Sequence, residues 1–211
     1  MCKKIKINGT SLEMTEAQIK AEFQGGSELF KQLLVAQFGE NFFRTPSLDD
    51  YKSIKTYEDA CTALGEEPLN EDALLAVGAN AHVIALMKLE TISKALWGRD
   101  FKPVPQAEWD GETWYYFPWF AFYSKKEVER IKGNRAKYSE IVALFGGLAY
   151  SGAVAGFGCL DTRNRPAGTD ANRGFRLCQQ NEERARYFGA QFAELWAEYL
   201  AWGFKIEERI I

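Results

Sequence analysis

The sequence predicts an α+β protein. A helical N-terminal half leads into a small antiparallel sheet region with an aromatic core, and a long C-terminal helix closes the chain. Three observations predict it. Apolar residues recur at helical spacing between capping residues through most of 15–97. Trp109, Trp114, Tyr115, Tyr116, Phe117, Trp119, Phe120, Phe122 and Tyr123 crowd one short stretch, in a chain with 15 Phe, 9 Tyr and 6 Trp among 211 residues. A last apolar stripe, Ala185, Phe188, Phe192, Leu195, Tyr199 and Trp202, runs at spacings of three and four.

Lys3 to Met14 reads as a hairpin. Ile5 and Ile7 alternate with lysines, Asn8-Gly9 is a turn signal, and Leu12 and Met14 resume the alternation. Thr15 opens a helix with Gln18 three residues on, the spacing of a capping box, and Ile19 and Phe23 give its apolar stripe. Gly25-Gly26 ends it. Ser27 caps a second helix carrying Leu29, Phe30, Leu33, Leu34 and Phe38, closed by Gly39. Residues 40–54 are irregular, and the expected organisation is an N-terminal hairpin and helices over 1–54 with a main α+β domain over 55–211, or one continuous domain.

Thr56 caps a short helix from Tyr57 to Leu64, stopped by Gly65. Asn70 caps a long one over 71–97, with Leu74, Val77, Ala81, Ile84, Ala85, Leu89 and Ile92 on its core face. His82 falls inside that helix and reads as a core or half-buried imidazole. Trp114 to Tyr123 is aromatic on both alternating faces, as a buried strand is, and Pro118 within it requires a sheet border or a bulge. Lys125 to Lys137 reads as a short charged helix or excursion. Residues 141–160 form one or two short strands joined at glycines, and Asp161 to Arg173 (DTRNRPAGTDANR) is a polar loop. Gly174 to Cys178 is a final strand, and Asn181 caps the closing helix over 182–203.

Composition excludes several function classes. With 46% apolar and 26% charged residues the chain is neither disordered nor fibrous. Net charge is −3, which offers no whole-molecule basic field for duplex nucleic acid. Basic residues do gather within 125–186, around the glycine-rich segment. Cys2, Cys61, Cys159 and Cys178 form no C-x-x-C pair and His82 is the only histidine, so no metal site and no disulfide scaffold is expected. The start, MCKKIKING, lacks an apolar signal core. Residues 141–160 carry no charge and are long enough to span a bilayer. Five glycines with Tyr150 and Ser151 dilute the stretch, so no membrane span is expected. The expected location is the host-cell cytoplasm or a virion.

Catalytic motifs fail one by one. Gly156-Phe157-Gly158 lacks the third glycine of a dinucleotide fingerprint. No phosphate-binding G-x-x-x-x-G-K-[ST] run and no G-x-S-x-G elbow occurs, and one histidine leaves hydrolytic triads without a base. No cofactor is expected.

The segments KTYEDACTALG (55–65), WYYFPWFAF (114–122) and GFRLCQQNEERARYFGAQFAELWAEYL (174–200) resemble a family of uncharacterised small proteins encoded by phages and prophages of gut Bacteroidetes. Its members show a Tyr-Tyr-Pro-Trp-Phe block, a divergent segment, a Ser-Arg-Leu strand and a helix of the E-L-A-E-Y-x-G-x-Q-F type. Here Phe117 is inserted before Pro118-Trp119-Phe120, and Phe175 replaces the serine. Residues 144–178 are also similar to the closing part of the C-type-lectin and formylglycine-generating-enzyme fold, where a Gly-Gly turn leads into a long ligand-facing loop. The long helix after Cys178 and the helical first hundred residues have no counterpart there.

The functional expectation is a phage or prophage recognition protein that binds without catalysis. Its contact loop is 150–173, with Tyr150, Phe157, Arg163, Asn164, Arg165, Asp170, Asn172 and Arg173 meeting the ligand, and Trp114, Trp119 and Phe120 as structural support. The ligand is a protein, a glycan or a nucleotide. Arginines beside aromatics also bind phosphates and stack bases, which keeps nucleic-acid or nucleotide binding as one alternative. A virion structural or assembly protein is another.

Overall fold

The computed structural model describes residues 2–7, 10–104, 108, 110–148, 156–166, 175–200 and 204–211. They fall into two compact units, Met1–Thr45 and Pro46–Ile211. The division comes earlier than residue 54 because Tyr51 and Ile54 pack in the second unit's core, Ile54 with no exposed surface.

In the first unit, β1 (Cys2–Ile7) and β2 (Thr10–Thr15) form the expected antiparallel hairpin, with Ile5 opposite Leu12. α1 (Glu16–Gly25) starts on the expected capping box. The Thr15 hydroxyl accepts from the Gln18 amide at 3.3 Å, and the Gln18 side chain accepts from the Thr15 amide at 2.9 Å. α2 (Glu28–Phe38) and the single turn α3 (Glu40–Phe43) follow. Ile19 and Leu34 are buried under Phe23, Phe30, Phe38, Phe42 and Phe43, with Phe23 and Phe43 stacked at 4.0 Å. Leu29 and Leu33 lie on the other face of α2 and stay exposed.

The second unit opens with α4 (Tyr57–Leu64), α5 (Glu71–Ala76) and α6 (Ala81–Trp97). The single helix expected over 71–97 is two. Gly78 adopts a left-handed φ of 88°, and the amides of Gly78 and Ala79 donate to Leu75 and Leu74 carbonyls at 3.0 Å. The break overturns three expectations: Val77 is 82% exposed, and Ala81 and His82 sit exposed in the first turn of α6. Beyond it Ile84, Ala85, Leu89 and Ile92 are buried as expected.

β3 (Trp114–Tyr123), α7 (Lys125–Gly133), β4 (Ala143–Leu148), β5 (Gly156–Pro166), α8 (Glu182–Gln191), α9 (Ala193–Leu200) and β6 (Lys205–Arg209) complete the unit. The sheet is antiparallel in the order β3-β5-β4-β6. Three expectations change here. Asp161 to Pro166 is strand rather than loop, because pairing along the aromatic β3 overrides its polar composition. Of the strand expected over Gly174 to Cys178, the described residues are Phe175 to Cys178, and they hold a 3-10 turn, Phe175–Leu177, followed by one antiparallel bridge from Gln179 to Tyr116. The long closing helix is a pair of short ones. Phe192, at φ −109° and ψ 31°, leaves helical geometry. Phe192 still donates to the Phe188 carbonyl, and Trp196 to that of Phe192, so the apolar stripe crosses the kink in phase.

One sheet face packs on α8 and α9, with α6 and α4 behind them; Phe157, Phe188, Leu89, Ile92 and Leu96 are among its fully buried members. The other face meets α7 through Val128, Ile131, Ile141 and Leu144. Two glycines make the packing close. A Cβ on Gly189 would lie 2.6 Å from the Cys159 Sγ and 2.9 Å from the Pro118 Cβ, so α8 rides directly on β3 and β5. A Cβ on Gly147 would lie 2.0 Å from the Lys205 carbonyl oxygen, where β6 crosses at a register shift.

Candidate functional site

β3 forms one border of the sheet. Tyr116 turns its amide and carbonyl outward, exchanging bonds of 3.0 and 2.8 Å with Gln179. Backbone direction alternates along a strand, so Pro118, Phe120 and Phe122 face the same border. Pro118 is tolerated because its missing N–H would point away from the ladder. The border reading of this proline holds; the bulge lies beyond it and on the neighbouring strand, where Trp119 pairs with Asp161 and Phe120 with Cys159, leaving Leu160 of β5 as the extra residue. Among the described residues, the outward amides and carbonyls of Phe120 and Phe122 have no backbone partner.

Against this border lies a pocket of about 360 Å³, lined by Phe117, Pro118, Trp119, Phe120 and Phe122 of β3, by Leu177, and by Trp196, Tyr199 and Leu200 of α9. It falls within the usual size range of ligand sites, and among the described residues that line it there is no acid, lysine or arginine. The Phe120 ring stacks on Phe157 at 4.7 Å and meets Trp196 at 5.2 Å, which fixes the pocket's rear wall. Phe122 and Leu200, each 45% exposed, form its rim. The buried Trp196 Nε1 has no hydrogen-bond partner among the described residues.

The upper end of the border is locked. The Gln179 side chain donates to the Ser93 hydroxyl at 2.9 Å, and Ser93 in turn donates to the Cys178 carbonyl. The Trp97 indole donates to that same carbonyl at 2.7 Å. Ser93 and Gln179 are fully buried, so this polar clasp ties the border of β3 to α6. Burial pushes the neighbouring Cys178 thiol up to about 12.

The structure rearranges the expected contact residues. Arg163, Asn164 and Arg165 lie within β5, opposite Phe117, Tyr116 and Tyr115. Alternation puts the two arginine positions on one face of the strand and Asn164 on the other. Tyr150, Asp170, Asn172 and Arg173 lie outside the described residues. The chain enters β5 at Gly156 and leaves at Pro166, about 30 Å along the strand. One continuous contact loop over 150–173 is therefore replaced by a strand with a connection at each end. Phe157 is corrected from contact residue to core: it has no exposed surface and packs among Phe120, Phe122 and Phe204. Of the expected supports, Trp119 and Phe120 line the pocket itself, and Trp114 lies partly exposed opposite Pro166.

No protein-family model, curated protein or solved structure matches the chain.

Trp196, Tyr199, Leu200 and Leu177 belong to the pocket but carried no functional signal in the sequence, where Tyr199 reads only as part of a core stripe. Among the described residues no cluster of His, Cys, Asp and Glu is able to hold a metal ion. No described helix is long and apolar enough to cross a membrane.

Proposed function

We propose that the protein acts by binding, and that its ligand enters the aromatic pocket beside β3. The observation that carries this reading is the pocket's construction: a concave space of about 360 Å³ at a sheet border, walled by five aromatic side chains of β3 and α9 besides its exposed rim. Such walls favour a flat or branched apolar group through area burial and ring packing. The expected recognition segment enters in amended form, because Arg163 pairs with Phe117, a pocket residue. The family resemblance adds a phage or prophage setting. The test is titration with the uncharged fluorophore N-phenyl-1-naphthylamine. One saturable site is expected, weakened at least tenfold by Leu200→Lys and by Phe122→Lys, both at the exposed rim. No saturable binding, or binding that neither change weakens, refutes the reading.

A second reading, nucleotide or nucleic-acid binding, is favoured by a shallow groove on α6. Its floor is Leu69, Met87 and Trp97, and Lys94 and Arg176 stand at its margin. Arg176 pairs with Glu90 at 3.2 Å, and Lys94 pairs with Glu66. A phosphate ligand would displace those carboxylates, so this reading requires affinity that falls steeply with salt. No binding of single-stranded oligonucleotides at low ionic strength removes it.

A further inference from the structure

We infer that the border of β3 from Phe120 to Tyr123 accepts an extended, uncharged strand of a partner protein, which pairs with the outward backbone of Phe120 and Phe122. Its pocket part rests on the binding site proposed above; the backbone part stands on the sheet.

Three observations converge on such a partner. First, the molecule already pairs this border once with its own chain. Gln179 runs antiparallel to Tyr116 and exchanges both main-chain bonds with it, and then the 3-10 turn at Phe175–Leu177 carries the segment away. Pro118 is the next outward position and offers only its carbonyl; Phe120 and Phe122 follow it, and each offers a donor and an acceptor. An incoming strand would continue a ladder the protein has begun.

Second, residues directly opposite in a ladder send their side chains to the same face. Phe120 points its ring to the α9 side, against Trp196. A partner residue opposite Phe120 therefore sends its side chain to that side as well, where the pocket continues along Trp196, Tyr199 and Leu200. Main-chain bonds supply the affinity and one pocketed side chain the selectivity, which is the logic of strand addition.

Third, the two borders of the sheet are built differently. β6 reads Lys205-Ile206-Glu207-Glu208-Arg209, with Lys132 paired to Glu208 at 3.5 Å. Charges of this kind prevent edge pairing. At the β3 border no described pocket residue is charged, and Pro118 removes only one donor. The chemistry selects a strand without charge opposite Phe120, carrying an aliphatic or aromatic side chain there.

The test uses the full chain and a fluorescein-labelled, capped Thr-Leu-Thr-Leu-Thr-Leu peptide, followed by fluorescence anisotropy. Saturable binding is expected. N-methylation of alternate peptide amides, which deletes the donors and keeps the side chains, should weaken it at least tenfold. Phe122→Pro, which deletes one outward N–H, should do the same. Bound peptide should slow amide exchange at Phe120 and Phe122 at least tenfold. If N-phenyl-1-naphthylamine binds while the peptide fails, or the N-methylated peptide binds equally well, the pocket stands and strand addition is refuted. If neither probe binds, both readings fall. If exchange at the two amides slows with protein concentration alone, in step with dimer formation by sedimentation, the occupant is a second copy and the inference is overturned.

Discussion

Replacing Gly189 by alanine tests the closest helix-to-sheet contact. In the interior of an isolated helix the change would stabilise by about 1 kcal/mol. Here the added methyl meets the Cys159 Sγ at 2.6 Å and the Pro118 Cβ at 2.9 Å, with the Phe120 ring at 3.4 Å. The first two distances fall about 1 Å short of comfortable carbon and sulfur contact. Both neighbours belong to paired strands, and the proline ring has no alternative rotamer, so α8 must lift. Overpacking of this kind costs about 1–3 kcal/mol. The net expectation is a loss of about 1–2 kcal/mol, after the propensity gain is subtracted from the upper part of that range, or a fall in Tm of about 2–8 °C. The control is Gly133→Ala at the end of α7, where the new methyl meets nothing within 4 Å and a small gain is expected. Thermal unfolding by circular dichroism measures both. Adding Cys159→Ala to Gly189→Ala should recover part of the loss, a coupling that a double-mutant cycle reads directly. Equal stabilisation by Gly189→Ala and Gly133→Ala, or strict additivity with Cys159→Ala, would refute the close-approach argument.

Three further outcomes are expected. Ser93→Ala leaves the buried Gln179 amide without its acceptor and should cost about 1–3 kcal/mol in urea unfolding, while Ser93→Ala combined with Gln179→Leu should cost markedly less, because both polar partners are gone. Thr56→Ala removes the hydroxyl that accepts from the Asp59 amide at 3.1 Å and should cost about 1 kcal/mol, seen as a lower urea midpoint with an unchanged slope. Stability should fall as pH rises from 9 towards 12. Burial pushes Cys178 from its ordinary 9.0, and Tyr57 and Tyr123 from 10.0, up to about 12, so the unfolded chain loses these protons first and gains the advantage across that window. Urea midpoints at pH 8 and pH 11 check it, and equal values would contradict it.

Local signals in the sequence were sufficient wherever the structure obeys local rules. Thr15, Ser27, Thr56, Asn70 and Asn181 each cap a helix that starts where expected, although the helices after Asn70 and Asn181 end early, because an N-cap bond spans only three residues. Pro118 announced a border or a bulge for a comparably local reason. The failures occurred where distant segments decide. Asp161 to Pro166 has loop composition and becomes strand only by lying along β3. β6 is nearly all charge and offers no alternation, and its one half-buried side chain, Ile206, gives no periodic signal. The break at Gly78 hid inside an otherwise helical pattern. Of the site, Trp119 and Phe120 were noticed, though as support. The α9 wall stayed invisible, since a residue that lines a pocket and one that fills a core share the same helical spacing.

The unlike borders of the sheet also set an arithmetic of assembly. Growth into a filament needs every molecule to offer two open borders, one on each side. In this sheet β6 is closed by Lys205, Glu207, Glu208 and Arg209, and only β3 stays open. Association through these strands therefore ends after a single step. A strand seated on β3 leaves no second open border of this sheet for another, so growth along it stops at one added strand.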